Sequence, residues 1–395
     1  MARIILVSGK GGVGKTTVAA ATALASARRG YRTLVMSLDI AHSLADSFDL
    51  ELGLFDQKRG LPTQVAERLD MQEIDVREEV ERYWGDVYRY LALVFSTTGL
   101  SHVVAEELAI IPGMEDVIAL LYLNQYVGQK DYDVIVLDCA PTGESLRFVS
   151  MPTTLEWYMR RLFKFERSVA RVARPVMKAM ADIPLPDDSY FAAIERLFRR
   201  LEGIEQVLVD PEVTSVRLVT NAEKMVVRET QRAYMYFSMY GMITDQVIIN
   251  RLFPDSDGYF SQWAKTQARH AADITEYFRP VPVARLPLFA DEVIGRDRLE
   301  EAALQLYGDS DPAQFYLKEP PYSFAKDNGG YRLELNLPFV HKEDIDVTRE
   351  ADELAVRVGS FKRHVSLPRT VARLKTGSAR MDGAQLRIQF VEENV

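Results

Sequence analysis

The residues GKGGVGKTT, Gly9–Thr17, constrain the fold of this chain more than any other stretch. They follow the apolar run Ile4–Val7 and precede the small-residue run Thr17–Ala27, so they form the turn between a strand and a helix. The spacing G-x-x-x-x-G-K-T is that of a phosphate-binding P-loop, whose backbone N–H groups and helix N-terminus face the phosphates. We therefore predict an α/β fold that carries this loop at a strand end.

The motif assigns a role to each of its positions. Lys15 supplies positive charge to the β- and γ-phosphates, and the hydroxyl of Thr16 can coordinate Mg²⁺. The predicted nucleotide-binding residues of the loop are Gly9, Gly11, Gly12, Val13, Gly14, Lys15, Thr16 and Thr17.

Two carboxylates end predicted strands. Asp138 follows VIVL, and Asp39 follows TLVMSL. A carboxylate at the carboxyl edge of a parallel sheet can hold Mg²⁺ through a water molecule, and we predict this for both residues. Asp39 is also placed to orient or deprotonate the attacking water. The alternative for each is a solvated aspartate at a strand end.

The rest of the first 307 residues alternates apolar runs with long helical patterns. Strand-like runs lie at Thr33–Leu38, Val134–Leu137, Val216–Val219, Val247–Ile249 and Pro282–Leu286. This order predicts a P-loop domain over 1–307, with a mostly parallel sheet covered by helices on both faces. Two segments that are helical by periodicity, roughly 71–130 and 151–205, form a helical insertion subdomain.

The sequence pattern changes after Gly308. Residues 308–322 are rich in turn formers and predict a linker. Beyond it, several segments alternate apolar and polar residues with period two: YRLELNLP, DIDVTRE, ELAVRVG, RHVSLP and QLRIQF. The alternation predicts a small antiparallel β-sandwich over 323–395.

Composition narrows the functional classes. The 395 residues are 47% hydrophobic and carry a formal charge of -9, which indicates a soluble globular chain and argues against nucleic-acid binding through bulk electrostatics. No run approaches a signal-peptide core or the roughly 18–20 apolar residues of a membrane span, so we expect a cytoplasmic protein. The single cysteine, Cys139, excludes an internal disulfide and a Cys-x-x-Cys zinc site, and we expect no zinc.

Several ordered motifs carry a family resemblance. KGGVGKTT, with its early lysine, resembles the deviant P-loop class that includes nitrogenase iron protein, division-site and plasmid-partition ATPases, and the arsenite-pump and tail-anchored-protein-targeting ATPases. DIAHSLADSF and DCAPTGESLRF resemble the two switch segments of the last group. IPGMEDVIAL, VIINRLFP and ARLPLFADEVIG also match its pattern. The resemblance covers roughly residues 1–307 and implies a homodimeric ATPase that uses ATP, ADP and Mg²⁺.

The resemblance also implies roles for single residues. The early lysine of this class reaches across the dimer, so Lys10 would stabilise charge on the partner's transferring phosphoryl group; the alternative is a solvated loop lysine. Lys10, Lys15 and Asp39 would then be the catalytic residues. By the same correspondence, Asn250 and the segment at Pro287 would contact adenine.

The chain departs from the family pattern in several places. Ile40 and Ser43 replace the usual proline and asparagine of the first switch. The Cys-x-x-Cys of zinc-bridged targeting dimers is missing, as are the metal-binding cysteines of arsenite-pump subunits. Arsenite transport is therefore disfavoured, and Cys139 is interpreted as a small packing residue.

In the targeting relatives, helices of the insertion form an apolar groove for a client's transmembrane helix. Here the apolar stretches Val103–Val127 and Leu155–Met180 are candidates, and the alternative is ordinary core. The predicted groove residues are Met114, Val117, Ile118, Leu121, Met159, Leu162, Val169 and Met177. The basic face of the second stretch could instead lie against anionic lipid.

Residues Tyr331–Phe390 resemble the α-crystallin domain of small heat-shock proteins, through YRLELNLPFVHKEDIDV, DELAVRVGSFKRHVSLP and ARMDGAQLRIQF. We interpret this region as an interaction or client-shielding module; the alternative is a passive stabilising cap. The leading hypothesis is thus a dimeric ATPase that binds and releases a hydrophobic client and makes transient contact with a membrane or receptor. The alternatives are an ATPase that organises itself on a membrane surface and, less favoured, an arsenite-pump subunit.

Overall fold

The computed structural model describes residues 1–39, 43–50, 60–74, 113–159, 188–254, 258–327, 330–350 and 353–392. Its centre is an eight-stranded sheet in the order β3-β4-β2-β5-β1-β6-β7-β8. The strands are β1 (Arg3–Gly9), β2 (Thr33–Ser37), β3 (Thr63–Ala66), β4 (Leu69–Glu73), β5 (Val134–Asp138), β6 (Thr214–Asn221), β7 (Thr244–Leu252) and β8 (Val283–Pro287). Neighbouring strands run parallel except β3, which pairs antiparallel with β4.

Helices cover both faces of this sheet. They are α1 (Lys15–Arg28), α2 (Ser43–Ser47), α3 (Met114–Gln129), α4 (Thr142–Tyr158), α5 (Asp188–Leu201), α6 (Ile204–Val209), α7 (Lys224–Met239), α8 (Ser261–Tyr277) and α9 (Arg296–Tyr307). β1 shows how the sheet divides the core: Ile4 and Leu6 face the helices α3 to α8, whereas Ile5 and Val7 face α1, α2 and α9. The predicted mostly parallel α/β fold is confirmed.

The edge strand β3 and its neighbour β4 were not predicted. β3 and β4 read TQVA and LDMQE, and β3 exposes much of its surface. Because each segment has only two apolar residues, both lack the continuous apolar run that identified the central strands.

The C-terminal region is a two-sheet antiparallel sandwich, as predicted. One sheet has the order β14-β15-β10-β9 and the other β11-β12-β13. The strands are β9 (Tyr322–Asp327), β10 (Gly330–Asn336), β11 (Ile345–Glu350), β12 (Glu353–Val358), β13 (Phe361–Ser366), β14 (Lys375–Asp382) and β15 (Gln385–Val391), with the short helix α10 (Arg369–Ala372) before β14. Of these, β9 and β14 were not predicted.

The sandwich packs against α7 of the same chain. Met235 and Met239 of α7 belong to the apolar cluster that fills the sandwich, and the rings of Tyr236 and Phe361 lie 3.9 Å apart. The buried guanidinium of Arg363 donates a hydrogen bond to the Met239 carbonyl oxygen. The sandwich therefore shares its core with the P-loop region.

The segment predicted as a linker is tied to the sheet. Arg217 Nη2 donates to the Pro312 carbonyl oxygen at 2.7 Å, and Arg3 Nε donates to the Ala313 carbonyl oxygen at 3.0 Å. The Arg3 guanidinium also stacks 3.6 Å from the centre of the Phe315 ring. Turn-forming composition marks a break in regular structure, but here buried arginines hold the segment in place, so it is not a free tether.

Candidate nucleotide-binding site

The P-loop lies at the carboxyl edge of the sheet, where close packing requires its glycines. A Cβ atom at Gly9 would lie 2.2 Å from the Val219 carbonyl oxygen of β6. Gly14 has φ +91, and a Cβ there would lie 2.3 Å from Nδ2 of Asn250. Only glycine fits these two positions without displacing backbone or the Asn250 side chain.

Asn250 and Arg251 support the loop from β7. Asn250 Nδ2 donates to the Val13 carbonyl oxygen at 2.9 Å, and Arg251 Nη1 donates to the Gly12 carbonyl oxygen at 2.9 Å. The predicted adenine contact of Asn250 stays a prediction, but the structure gives this buried residue a contact that the sequence did not suggest. Pro287 ends β8 at the same edge and is the register partner of Leu252.

Lys15 and Thr16 open α1. Lys15 is 7% exposed, and its Nζ donates to the Lys10 carbonyl oxygen at 3.4 Å, so the ammonium group lies along the inside of the loop. Thr16 Oγ1 lies 3.3 Å from Ser43 Oγ, the first residue of α2. Ser43, which replaces the family's asparagine, thus reaches the P-loop threonine directly. Ile40 lies outside the described residues.

Asp138 is a buried carboxylate at the end of β5. It is 1% exposed, and neither oxygen has a hydrogen-bond partner of good geometry within the described part of the chain. Burial raises the pKa of Asp138 to about 7; Thr16 and Lys15 oppose this, whereas the charges of Asp39 and Glu73 reinforce it. A buried, unsatisfied carboxylate beside the P-loop threonine is chemically suited to a water molecule on a hard cation.

Asp39 lies next to this group, one strand away. Ser37 is the register partner of Asp138 in the β2–β5 pair, and the Asp39 N–H donates to Ser37 Oγ at 3.2 Å. The two predicted carboxylates therefore share one edge of the sheet. Across the residues that can be described, no group of three or more acidic, histidine or cysteine side chains is arranged to hold a metal ion by itself.

Cys139 follows Asp138 and is fully buried in the main core. Its Sγ contacts the Leu137 carbonyl oxygen at 3.7 Å, and burial raises the pKa of the thiol well above its usual range. The side chain packs as the sequence predicted.

Lys10 faces its own chain. Its Nζ lies 3.9 Å from Glu229 Oε2 on α7, and the side chain is about one-third exposed. The role of Lys10 in trans stays a prediction. Glu229 was not identified from the sequence, because nothing in its local pattern separates it from a solvated helix residue.

Glu73 was also missed. It ends β4 beside β2, and its Oε1 accepts hydrogen bonds from the backbone N–H groups of Leu44 and Ala45 in α2, at 3.1 and 3.0 Å. The sequence signal that could have identified Glu73 was its place at the carboxyl end of the alternating segment LDMQE.

The second switch segment leads into α4 and contacts α3. Arg147 Nε donates to Asp116 Oδ2 at 2.6 Å, and its Nη2 donates to Glu115 Oε1 at 2.7 Å. Burial raises the pKa of Asp116 to about 6, and the Arg147 guanidinium limits that rise. The ion pairs fasten the helix after Asp138 to the start of α3.

The structure corrects the placement of half of the predicted groove residues. Met114, Val117, Ile118 and Leu121 are at most 4% exposed and belong to the main core. The reason is that α3 is apolar around most of its circumference and lies between the sheet and the helices α4, α5 and α6. Leu162, Val169 and Met177 lie outside the described residues.

Met159 does line a cavity. This cavity has a volume of about 760 Å³ and lies between the end of α4, α5 and α6. Its walls include Leu155, Met159, Phe198 and Ile204, with the carboxylates of Glu156 and Glu205 among them.

These features define a P-loop nucleotide-binding protein. The glycine-rich loop lies at the edge of a parallel sheet, a lysine and a threonine begin the next helix, and a buried aspartate ends a neighbouring strand. Residues 2–308 match the family described as "Anion-transporting ATPase", and residues 328–390 match the "HSP20-like domain found in ArsA". The chain belongs to the anion-transporting ATPase family, and it is an ATP hydrolase.

Two relatives match over almost their whole lengths. The Aquifex aeolicus protein "Putative arsenical pump-driving ATPase 1" is 46% identical over 98% of this chain and 99% of its own length. The Chlorobaculum tepidum protein "Putative arsenical pump-driving ATPase" is 38% identical over 98% of this chain and 96% of its own. Both therefore span the P-loop region and the C-terminal sandwich. In the described part of this chain, no helix is long and apolar enough to cross a bilayer.

Proposed function

We propose that this ATPase acts as a homodimer that couples ATP binding and hydrolysis to the binding and release of a hydrophobic client. The observation that supports the client is the cavity lined by Leu155, Met159 and Phe198. Its volume and the apolar residues of its wall suit several side chains of an apolar helix.

The helix α4 supports the coupling. It begins at Thr142, four residues after Asp138, and its last turn carries Leu155 into the cavity wall. Arg147 fixes the first half of this helix to α3. A shift of the nucleotide edge would therefore move the cavity wall as part of one element.

At the nucleotide, the chain's own residues divide the work. Lys15 binds the β- and γ-phosphates, and Asp39 orients the attacking water. Thr16 and Asp138 would hold Mg²⁺, Asp138 through water. The metal would neutralise charge on the phosphates. The unsatisfied oxygens of Asp138 support this assignment.

In the proposed homodimer, Lys10 has a role in hydrolysis. In a closed dimer Lys10 leaves Glu229 and reaches the partner's nucleotide. The present ion pair is partly solvated and spans 3.9 Å, so breaking it costs little, on the order of 1 kcal/mol or less.

The second candidate is the role in the relatives' names, driving an arsenical pump. Their high identity favours it, but arsenite is held by thiolates, and the only cysteine of this chain is buried with its pKa raised. A membrane-surface ATPase is the third candidate, supported by the basic residues of the stretch Leu155–Met180.

The deciding experiment is capture of a labelled transmembrane peptide by the full chain with ATP, ADP or no nucleotide. We expect nucleotide-sensitive capture into a complex of dimer mass, weakened by Phe198→Glu. The control is Leu304→Glu, which changes an exposed leucine on α9 away from the cavity.

Failure of capture in every nucleotide state, by protein that still hydrolyses ATP, would overturn the client proposal. Stimulation of hydrolysis by arsenite would then favour the pump role. Binding to protein-free liposomes in a flotation assay would favour the membrane-surface role.

A further inference from the structure

Glu73 makes an unusual pair of contacts for a strand residue. Its Oε1 accepts hydrogen bonds from two consecutive backbone N–H groups, those of Leu44 and Ala45. These amides lie in the first turn of α2, where a helix has no internal acceptors for them. The carboxylate of Glu73, on a nearby strand, therefore caps α2 in place of the N-cap side chain that usually comes directly before a helix.

The sheet brings Glu73 to this position. β4 pairs with β2 in parallel register, and Glu73 is the register partner of Ser37. Ser37 lies two residues before Asp39, so Glu73 stands next to the strand end that leads into α2. Hydrogen bonds from N–H groups to a carboxylate are roughly twice as strong as neutral ones, and here two converge on one oxygen.

The capped end of α2 touches the P-loop. Ser43 Oγ lies 3.3 Å from Thr16 Oγ1. The other end of α2 is held as well, because the Gly295 N–H donates to the Ser47 carbonyl oxygen at 3.0 Å. Leu44, in the first turn, is fully buried. The position of Ser43 therefore depends on a five-residue helix whose first turn is fastened by Glu73.

We propose that Glu73 is a positioning residue for ATP hydrolysis, which fixes α2 so that Ser43 stays against the Thr16 hydroxyl. That hydroxyl is the P-loop group that would coordinate Mg²⁺. Glu73 acts in this role through the backbone N–H groups of Leu44 and Ala45. The proposal concerns the ATPase activity alone and is independent of the client.

The first test compares Glu73→Ala with Glu73→Gln in the full chain, by ATP hydrolysis titrated with Mg²⁺. Loss of two charge-assisted hydrogen bonds predicts that Glu73→Ala lowers kcat about tenfold or more and raises the half-saturating Mg²⁺ concentration. Glu73→Gln keeps an acceptor oxygen, so we expect it to stay within about threefold of the parent.

The matched control is Asp210→Ala. Asp210 Oδ1 accepts the Glu212 N–H at 2.9 Å in the turn before β6, at the opposite end of the sheet from the P-loop. It removes one acceptor of the same kind and should leave kcat and Mg²⁺ dependence unchanged.

A readout without nucleotide separates positioning from general stability. Amide exchange, followed by mass spectrometry on a peptide covering Ser43–Leu50, should speed up in Glu73→Ala and not in Asp210→Ala. The effects of Glu73→Ala and Ser43→Ala on kcat should combine less than additively, because both act on one contact.

Parental kcat and Mg²⁺ dependence in Glu73→Ala, or a fall in Tm alone, would overturn the proposal. Fully additive effects with Ser43→Ala would also do so. If Glu73→Ala does not fold, the proposal is judged on Ser43→Ala and Glu73→Gln: it fails if Ser43→Ala hydrolyses ATP with the parent's Mg²⁺ dependence.

Discussion

Asn250 donates a hydrogen bond of 2.9 Å from its side-chain amide to the Val13 carbonyl oxygen, across 237 positions of the sequence. A residue of β7 therefore holds the P-loop, which connects β1 to α1. Since Nδ2 of Asn250 also lies where a Cβ of Gly14 would be, the loop and this side chain fit each other closely.

We predict that Asn250→Ala weakens ATP binding by loosening the P-loop. Loss of this buried hydrogen bond leaves the Val13 carbonyl oxygen unsatisfied, which costs about 1–3 kcal/mol. The measurement is the Kd of a fluorescent ATP analogue, with Asn124→Ala as the control, a half-buried asparagine of α3 that donates to the Arg200 carbonyl oxygen at 2.6 Å. An unchanged Kd in Asn250→Ala would show that the loop is held by its own backbone.

Lys10→Ala is expected to reduce kcat by about a hundredfold or more while leaving ATP binding nearly intact, because the proposed role in trans acts on charge in the transition state. Single-turnover hydrolysis and the nucleotide Kd separate these effects. The matched control is Glu229→Gln, which removes the ion partner but keeps the lysine. Full hydrolysis by a dimeric Lys10→Ala protein would contradict the role in trans.

Asp138 should make the nucleotide-free protein less stable as the pH rises. Its pKa is raised to about 7, whereas an aspartate in an unfolded chain titrates near 3.9. Between these values the folded chain holds a proton that the unfolded chain has released, so stability falls as the pH increases through this range.

Asp138→Asn removes that titration. We expect it to stabilise the nucleotide-free protein by about 1–3 kcal/mol at pH 8 and to abolish hydrolysis, because it removes a buried charge that the reaction needs. Calorimetric Tm values between pH 5 and 8 give the measurement, and Asp131→Asn, an exposed aspartate before β5, is the control. If Asp138→Asn keeps the parent's pH dependence, another group is responsible.

Arg363→Ala should loosen the C-terminal sandwich from α7. Arg363 is buried, donates to the Met239 carbonyl oxygen and lies 4.9 Å from the centre of the Tyr322 ring. Its loss leaves a buried carbonyl oxygen and a void, at a cost of about 1–3 kcal/mol.

Limited proteolysis would detect this change as faster cleavage between residues 308 and 321. Arg380→Ala, an exposed arginine on β14, should cleave at the parental rate. Equal cleavage of parent and Arg363→Ala would mean that the apolar contacts of Met235, Met239 and Phe361 hold the sandwich without the arginine.

Local sequence patterns were enough to predict the P-loop, the central strands, the two carboxylates at their ends and the alternating strands of the C-terminal sandwich. These features are local: an apolar run followed by glycines fixes strand, turn and helix, and parallel strands connected through helices bring their carboxyl ends to one edge. Asp39 and Asp138 could therefore be assigned to the site without knowing how the chain packs.

What covers each apolar surface became clear only from the packing of the folded chain. Periodicity marked α3 as apolar but could not show that neighbouring helices bury Met114 and Val117, or that α7 completes the core of the sandwich. Glu73 contacts α2 from 28–29 positions away in the sequence, and Asn250 contacts the P-loop from 237 positions away. Such contacts depend on which surfaces pack together when the sheet forms, and a local pattern of residues does not predict them.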